Sequence, residues 1–215
     1  MTHTNHREGT IEGLRGDWVV LMMAAKGIND HDVGTKLQEF FRLSLNHDPV
    51  NGGCFQVGTA LCLGWDALIE GVGKAKPPMA QVIFDSKEKV AGFIHDLKQA
   101  DLGLSVVVSG LHAEIAEMCK QEGLRRHTVQ YSLGVWGKTR LLPDPKILEM
   151  TTMCGHGMIS SSLVQRRAEA VRNGKLRSEE ASVELAKPCM CGIFNTRRAR
   201  ILLKEDVPSS RNGKK

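Results

Sequence analysis

The run WVVLMMAA at 18–25 is apolar without interruption and of strand length, which predicts a buried strand. After the turn-forming KGINDHD, residues 33–45 change period: Leu37, Phe40, Phe41 and Leu45 recur at the spacing of one helical face. Residues 46–53 read as a loop, and the apolar stretch 54–68 fits neither period cleanly. Further on, AQVIF at 80–84 predicts a strand, Ser86 a cap for a helix to residue 97, LSVVV at 104–108 a strand, and 111–122 a helix. Residues 127–135 predict another strand. Alternating strands and helices of these lengths imply an α/β fold, a layered sheet with helices.

From residue 143 the pattern becomes wholly helical, with helices expected at 147–150, 159–171, 178–186 and 195–203. Pro143 and Pro145 cannot continue a helix and mark the change. The organisation expected is an α/β core over 1–142, a helical, cysteine-bearing segment over 143–207 packed on that core, and a flexible tail at 208–215. So small a helical segment needs the core, or a metal, to stabilise it.

The 215 residues, with an ordinary apolar fraction, suit a globular protein and argue against a disordered or fibrous one. The opening MTHTNHREGT holds no apolar run of the signal-peptide kind, and no apolar stretch approaches membrane-spanning length. A cytoplasmic protein with reduced thiols is therefore expected, without membrane contact, and a homodimer is the usual prior for such a protein. The formal net charge is +5, with the basic excess toward the C-terminus. Those Arg and Lys residues are mixed with Glu179, Glu180, Glu184 and Glu205, which reads as solvated helix surface and argues against nucleic-acid binding.

The chemistry concentrates in six cysteines. Cys154 in MCGHGM, and Cys189 and Cys191 in KPCMCGIFN, lie in glycine- or proline-marked turns before predicted helices, where thiolates are most easily accommodated. Three soft donors converging from two turns suggest ligands of a shared metal or cluster. No C-x2-C pair or ferredoxin-type run is present, so the spacing selects no familiar template. Three thiolates with one position left over favour a [4Fe-4S] cluster open to substrate, with zinc held by three thiolates and a histidine as the alternative. His156 is a candidate fourth ligand, hydrogen-bond partner of a sulfur, or general acid–base group, against the plainer reading of a turn histidine. Cys62 and Cys119 are expected in the core, while Cys54, after two glycines, is the candidate additional thiol.

Ser109 and His112 follow the 104–108 strand, where α/β folds open a ligand crevice, and His112 is the second candidate proton carrier. Lys138 and Arg140 offer positive charge to a carboxylate, and Ser160 with Ser161 and Ser162 offers donors at a helix start. Gly137-Lys138-Thr139 resembles a phosphate loop only superficially, because its earlier glycine is replaced by Ser132 and prolines follow where a helix is required. The polar run 29–32 could bind a cation or simply form a turn. These residues lead to an iron–sulfur enzyme, a lyase, desulfurase or hydrolase using an open iron as Lewis acid on a small anionic substrate. Two other classes stay open: a fully ligated electron-transfer or sensor protein, and a zinc-binding or metal-free protein contacting nucleic acid or another protein.

Overall fold

The computed structural model describes residues 4–205 and 207–208; the tail expected at 208–215 falls, apart from residue 208, outside them. After a short helix α1 (Ile11–Leu14), the elements are β1 (Trp18–Met23), α2 (Val33–Leu45), β2 (Asn51–Cys54), β3 (Gly58–Thr59), α3 (Ala60–Leu63) and α4 (Trp65–Ala75). They continue with β4 (Met79–Phe84), α5 (Lys87–Ala100), β5 (Ser105–Ser109) and α6 (His112–Gln121). A single 3-10 turn at Thr139–Leu141 leads to α7 (Pro145–Thr151), α8 (Ser161–Arg172), α9 (Ser178–Ala186) and α10 (Thr196–Leu202).

The architecture is mixed α/β: a five-stranded sheet in the order β3-β2-β4-β1-β5, followed by C-terminal helices. Each pair of neighbouring strands is antiparallel. The path β1-α2-β2, then β4-α5-β5, with β4 and β1 central, is a split βαβ arrangement with α3 and α4 inserted before β4. Because the sheet is antiparallel, the carboxyl ends of its strands alternate between its two rims. β4 and β5 nevertheless end at the same rim, and the depression there is lined by Arg15, Ser86, Lys87, Glu88, Glu114 and Glu117 rather than by Ser109 and His112.

Strand alternation assigns the two cores. Trp18, Val20, Met22, Val82 and Phe84 face α2, α4 and α5, where Phe84, Phe93 and Phe40 pack with ring centroids 5.2 and 5.3 Å apart. Val19 and Ile83, directly paired, face the other way and pack with Ile147, Met150, Met153, Leu185, Phe194 and Ala199 from the C-terminal helices. The helical segment thus closes a second core against the back of the sheet.

Several sequence expectations change on folding. Residues 51–53, expected in a loop, open β2, and the undecided 54–68 become the β2–β3 hairpin with α3 and the start of α4. Cys62, expected in the core, is exposed on α3, while Cys119 packs against the first core as expected. The strand expected at 127–135 does not form: among the described residues no backbone–backbone hydrogen bond ties 125–136 to any neighbour. Its alternation suits a strand, but a strand needs a paired neighbour, and the sheet ends at β5.

Candidate metal centre

Two similar turns carry the cysteines. Cys154 follows α7 in a turn where Cys154 N donates to Thr151 O (3.3 Å) and Gly157 N to Cys154 O (3.1 Å). Cys189 follows α9, with Cys189 N donating to Ala186 O (2.9 Å) and Gly192 N to Cys189 O (3.2 Å). The next helices start at side-chain caps: Ser160 Oγ accepts from Leu163 N, and Asn195 Oδ1 from Arg198 N. Each cysteine turn is thus fixed between a helix end and a capped helix start.

The two turns are brought together by an arginine that sequence patterning does not single out. Arg7 donates to the carbonyls of Met153 (3.0 Å) and Ile193 (2.6 Å), one residue before Cys154 and two after Cys191. It is itself paired with the buried Asp17. Asp17 also pairs with Arg198 (2.9 Å) and accepts from Asn195 Nδ2 (3.1 Å), while Arg198 reaches Glu149 on α7 (3.0 Å). Buried charges persist only when paired in this way, so the network sets one relative position for the N-terminal segment, α7 and α10. The one sequence signal for it was the lone Asp17 directly before the apolar β1 run.

The second turn sits directly on β2. A Cβ on Gly192, whose φ is +78°, would stand 2.6 Å from the backbone C and O of Gly52, and one on Gly53 would stand 3.0 Å from Cys191 O. The sequences NGGC and CMCG therefore meet backbone to backbone, an approach that only glycine allows.

Cys154, Cys189 and Cys191 are all buried in the second core. Cys189 Sγ lies 3.8 Å from Cys191 Sγ, and Cys191 Sγ lies 3.6 Å from His156 Nδ1. The Cys154 thiol hydrogen-bonds Cys189, and that bond with burial holds it far above the usual thiol range. At Cys189 the Cys154 thiol acts downward, but Cys191 and burial carry it up to about 11. Cys191 is lowered, first by its hydrogen bond from Cys189, against the effect of burial. A second negative charge in this buried group needs a cation beside it. Among the described residues, no group of three or more His, Cys, Asp or Glu side chains is placed to hold a metal ion.

Beside Cys191 lies a cavity of about 260 Å³ lined by Cys54, Phe55, Gln56, Pro78, Met79, Gln81, His156 and Cys191. Gln81 is only 5% exposed, and its Oε1 has no hydrogen-bond partner. It pairs with Gly53 across β2 and stands two residues before Ile83, hence on the sheet face toward the cysteine turns. Cys54 is buried with the first core, its thiol donating to Gln56 Oε1 (3.2 Å) and raised by burial. A larger depression of about 520 Å³ lies away from the cysteines, and its charged walls pair among themselves, Arg15 with Glu114 and Lys87 with Glu117.

The remaining sequence candidates do not join this site. Ser109 bonds Thr4 Oγ1 (2.7 Å), and the His112 ring stacks on Tyr131 (4.0 Å between centroids). Lys138 is exposed before the 3-10 turn, and Ser160 serves as the cap of α8. Asn29 fastens a turn, accepting from Ala25 N and donating to Gly103 O. Four of the sequence candidates, Cys154, His156, Cys189 and Cys191, do come together, a fifth, Cys54, lines the adjoining cavity, and Gln81 and Gln56 are cavity residues that sequence reading missed.

No family model, no curated protein and no solved structure matches this chain.

Proposed function

We propose that Cys154, Cys189 and Cys191 hold a metal centre with His156 on its open side, and that the protein is an enzyme acting on a small polar molecule in the adjoining cavity. The observation that carries this reading is the convergence of three buried thiols and one imidazole from two separate turns, with Cys191 and His156 of that group on the wall of a cavity. Such a donor set is soft and suits zinc or iron.

The distances favour a single ion. Bonds of ~2.3 Å to sulfur and ~2.0 Å to nitrogen around a tetrahedral ion separate two sulfurs by ~3.8 Å and a sulfur from a nitrogen by ~3.5 Å. The pairs Cys189–Cys191 and Cys191–His156 stand at 3.8 and 3.6 Å. The [4Fe-4S] cluster expected from the sequence is the second reading, supported by the three-to-one excess of thiols over imidazole. In a cluster each thiolate binds a different iron, which needs the sulfurs wider apart than they stand here.

Bound metal would supply a Lewis acid for a carbonyl or hydroxyl oxygen of the substrate. His156 lies in an exposed turn between two glycines beside Cys191, where it would serve as an imidazole ligand or move a proton for a substrate in the cavity. Gln81 Oε1 supplies a buried acceptor that orients a substrate N–H or O–H, at the cost of standing unpaired without one. Among the described residues no Lys or Arg lines the cavity, which suits an uncharged polar substrate better than the anionic one expected from the sequence. Buried reduced thiols of this kind suit a cytoplasmic setting, and no helix among the described residues is long and apolar enough to cross a membrane.

The deciding experiment is metal and acid-labile sulfide analysis of protein purified without oxygen, repeated on Cys154→Ser and Cys191→Ser. One zinc per chain without sulfide, lost in both variants, is the expected result; four irons with four sulfides, lost likewise, moves the case to the cluster. Neither metal nor sulfide sinks the proposal.

A further inference from the structure

We infer that the ligand of the cavity beside Cys191 is a small uncharged molecule recognised through an amide edge, an N–H next to a C=O, and that Gln81 is the residue that recognises it. Carboxamides, lactams and ureides carry such an edge. This assignment rests on the proposal above that the cavity takes the substrate. Gln81 lines the cavity and is only 5% exposed, yet its Oε1 has no hydrogen-bond partner. A buried acceptor left unpaired costs stability that an apolar side chain of the same shape would recover. Native proteins keep such an atom chiefly where function needs it.

The fold holds that carboxamide in place. Gln81 lies in β4 between two paired strands, opposite Gly53 of β2 and Leu21 of β1. Gly53 brings no side chain to it, because a Cβ there would stand 3.0 Å from Cys191 O. Across the ladder Gln81 therefore meets glycine and the second cysteine turn, and no side chain that could occupy its oxygen. Gln56 supplies a second carboxamide to the lining. Its Oε1 accepts from the Cys54 thiol (3.2 Å), so what remains for a ligand is its N–H donors. Phe55, Pro78 and Met79 add apolar surface, and Phe55 is 65% exposed, an aromatic ring with area to spare for a flat partner.

These groups select the chemistry of the ligand. A glutamine side chain presents one acceptor beside its N–H donors in a single plane, whichever way it is turned about its last bond. An N–H and a C=O on one edge meet it with two parallel bonds, as a glutamine meets the edge of adenine. A carboxylate offers acceptors only and leaves the buried oxygen unpaired. An ammonium offers donors only, and among the described residues no Asp or Glu lines the cavity to balance its charge. An alcohol fills one of the two positions. At about 260 Å³ the cavity falls just below the ~300 Å³ of the smallest usual ligand sites, so the amide is carried on a single ring or an equally compact frame.

The test is saturation-transfer NMR and calorimetric titration of the full chain with benzamide, 2-piperidone and uracil, against benzoate and methyl benzoate, which share the shape of benzamide but lack its N–H. The amides are expected to bind, and the two controls to bind about tenfold more weakly or less. Gln81→Met keeps the volume and removes the edge; it is expected to lose that preference and, with the unpaired acceptor gone, to melt no lower than the wild type. Phe55→Ala, at an exposed site, is expected to weaken benzamide severalfold. Amides bound no better than the controls overturn the inference, as does amide binding indifferent to both substitutions. A Gln81→Met protein that melts several degrees lower overturns it too, since the carboxamide would then be part of the fold. Metal analysis of the same samples separates the two proposals. Bound metal without an amide preference sinks the substrate class alone, whereas an amide preference lost in Gln81→Met in metal-free protein upholds the substrate class and sinks the metal centre.

Discussion

Arg7 occupies the point on which the two cysteine turns depend, since one guanidinium bonds the carbonyls of Met153 and Ile193 and pairs with Asp17. Arg7→Met leaves Asp17 with Arg198 but frees both turns, and breaking a buried pair of this kind costs ~3–5 kcal/mol. Urea unfolding of the variant is expected to register that loss, and its metal content to fall with it; unchanged stability would mean the turns hold themselves. Gly192 makes an equally local claim. Gly192→Ala combines a positive φ with a 2.6 Å approach to the Gly52 backbone, and a loss of ~2–4 kcal/mol is expected by the same measurement. The cysteines and His156 were legible as a chemical group because their residue types and turn settings are local facts. Arg7, Asp17 and Gln81 were not, because a polar residue acquires its role only from partners that fold against it from over a hundred residues away.

Among the elements, α10 and α5 are tied across the start of β2 by charge. Arg197 bonds Asp48 (2.8 Å) and Asp85 (2.9 Å), and Lys89 bonds the same two carboxylates. Arg197, then Lys89, hold the Asp48 carboxyl well below its usual range. Burial works against the charged form of Asp85, yet the bonds from Lys89 and Arg197 leave it lowered as well. Depressed carboxylates contribute stability that is complete above their unfolded-state values near ~4 and is lost as pH falls through the lower folded values. Thermal melting followed from pH 6 to pH 2 is therefore expected to show a downward acid limb, shallower in Arg197→Met; an identical limb in both would exclude this network as its source. Helices 33–45 and 178–186 were read from the sequence with the bounds they have in the structure, because apolar spacing lies within the element. The 127–135 strand was misplaced for the opposite reason: its pattern is local, but the paired edge a strand needs is not.

At the scale of the molecule, two cores share one sheet, and the cysteines lie inside the second. The proposed metal would stabilise the folded chain by mass action, so chelation under reducing conditions is expected to lower the melting temperature of the wild type. The Cys154→Ser variant, expected to lack that metal, should not respond to chelator. A wild type equally indifferent would mean that the thiols act only as core residues. The sequence by itself determined the strand and helix alternation, the change to helices near Pro143, and which three cysteines and which histidine stand in turns, since hydrophobic period, turn chemistry and residue type are properties of neighbouring residues. The tertiary structure alone decided that the sheet is antiparallel and that β2 meets the second cysteine turn glycine to glycine. It alone decided, too, that an unpaired Gln81 faces the cavity while Ser109, Lys138 and Ser160 stand apart, because each of these depends on which distant surfaces are buried against one another.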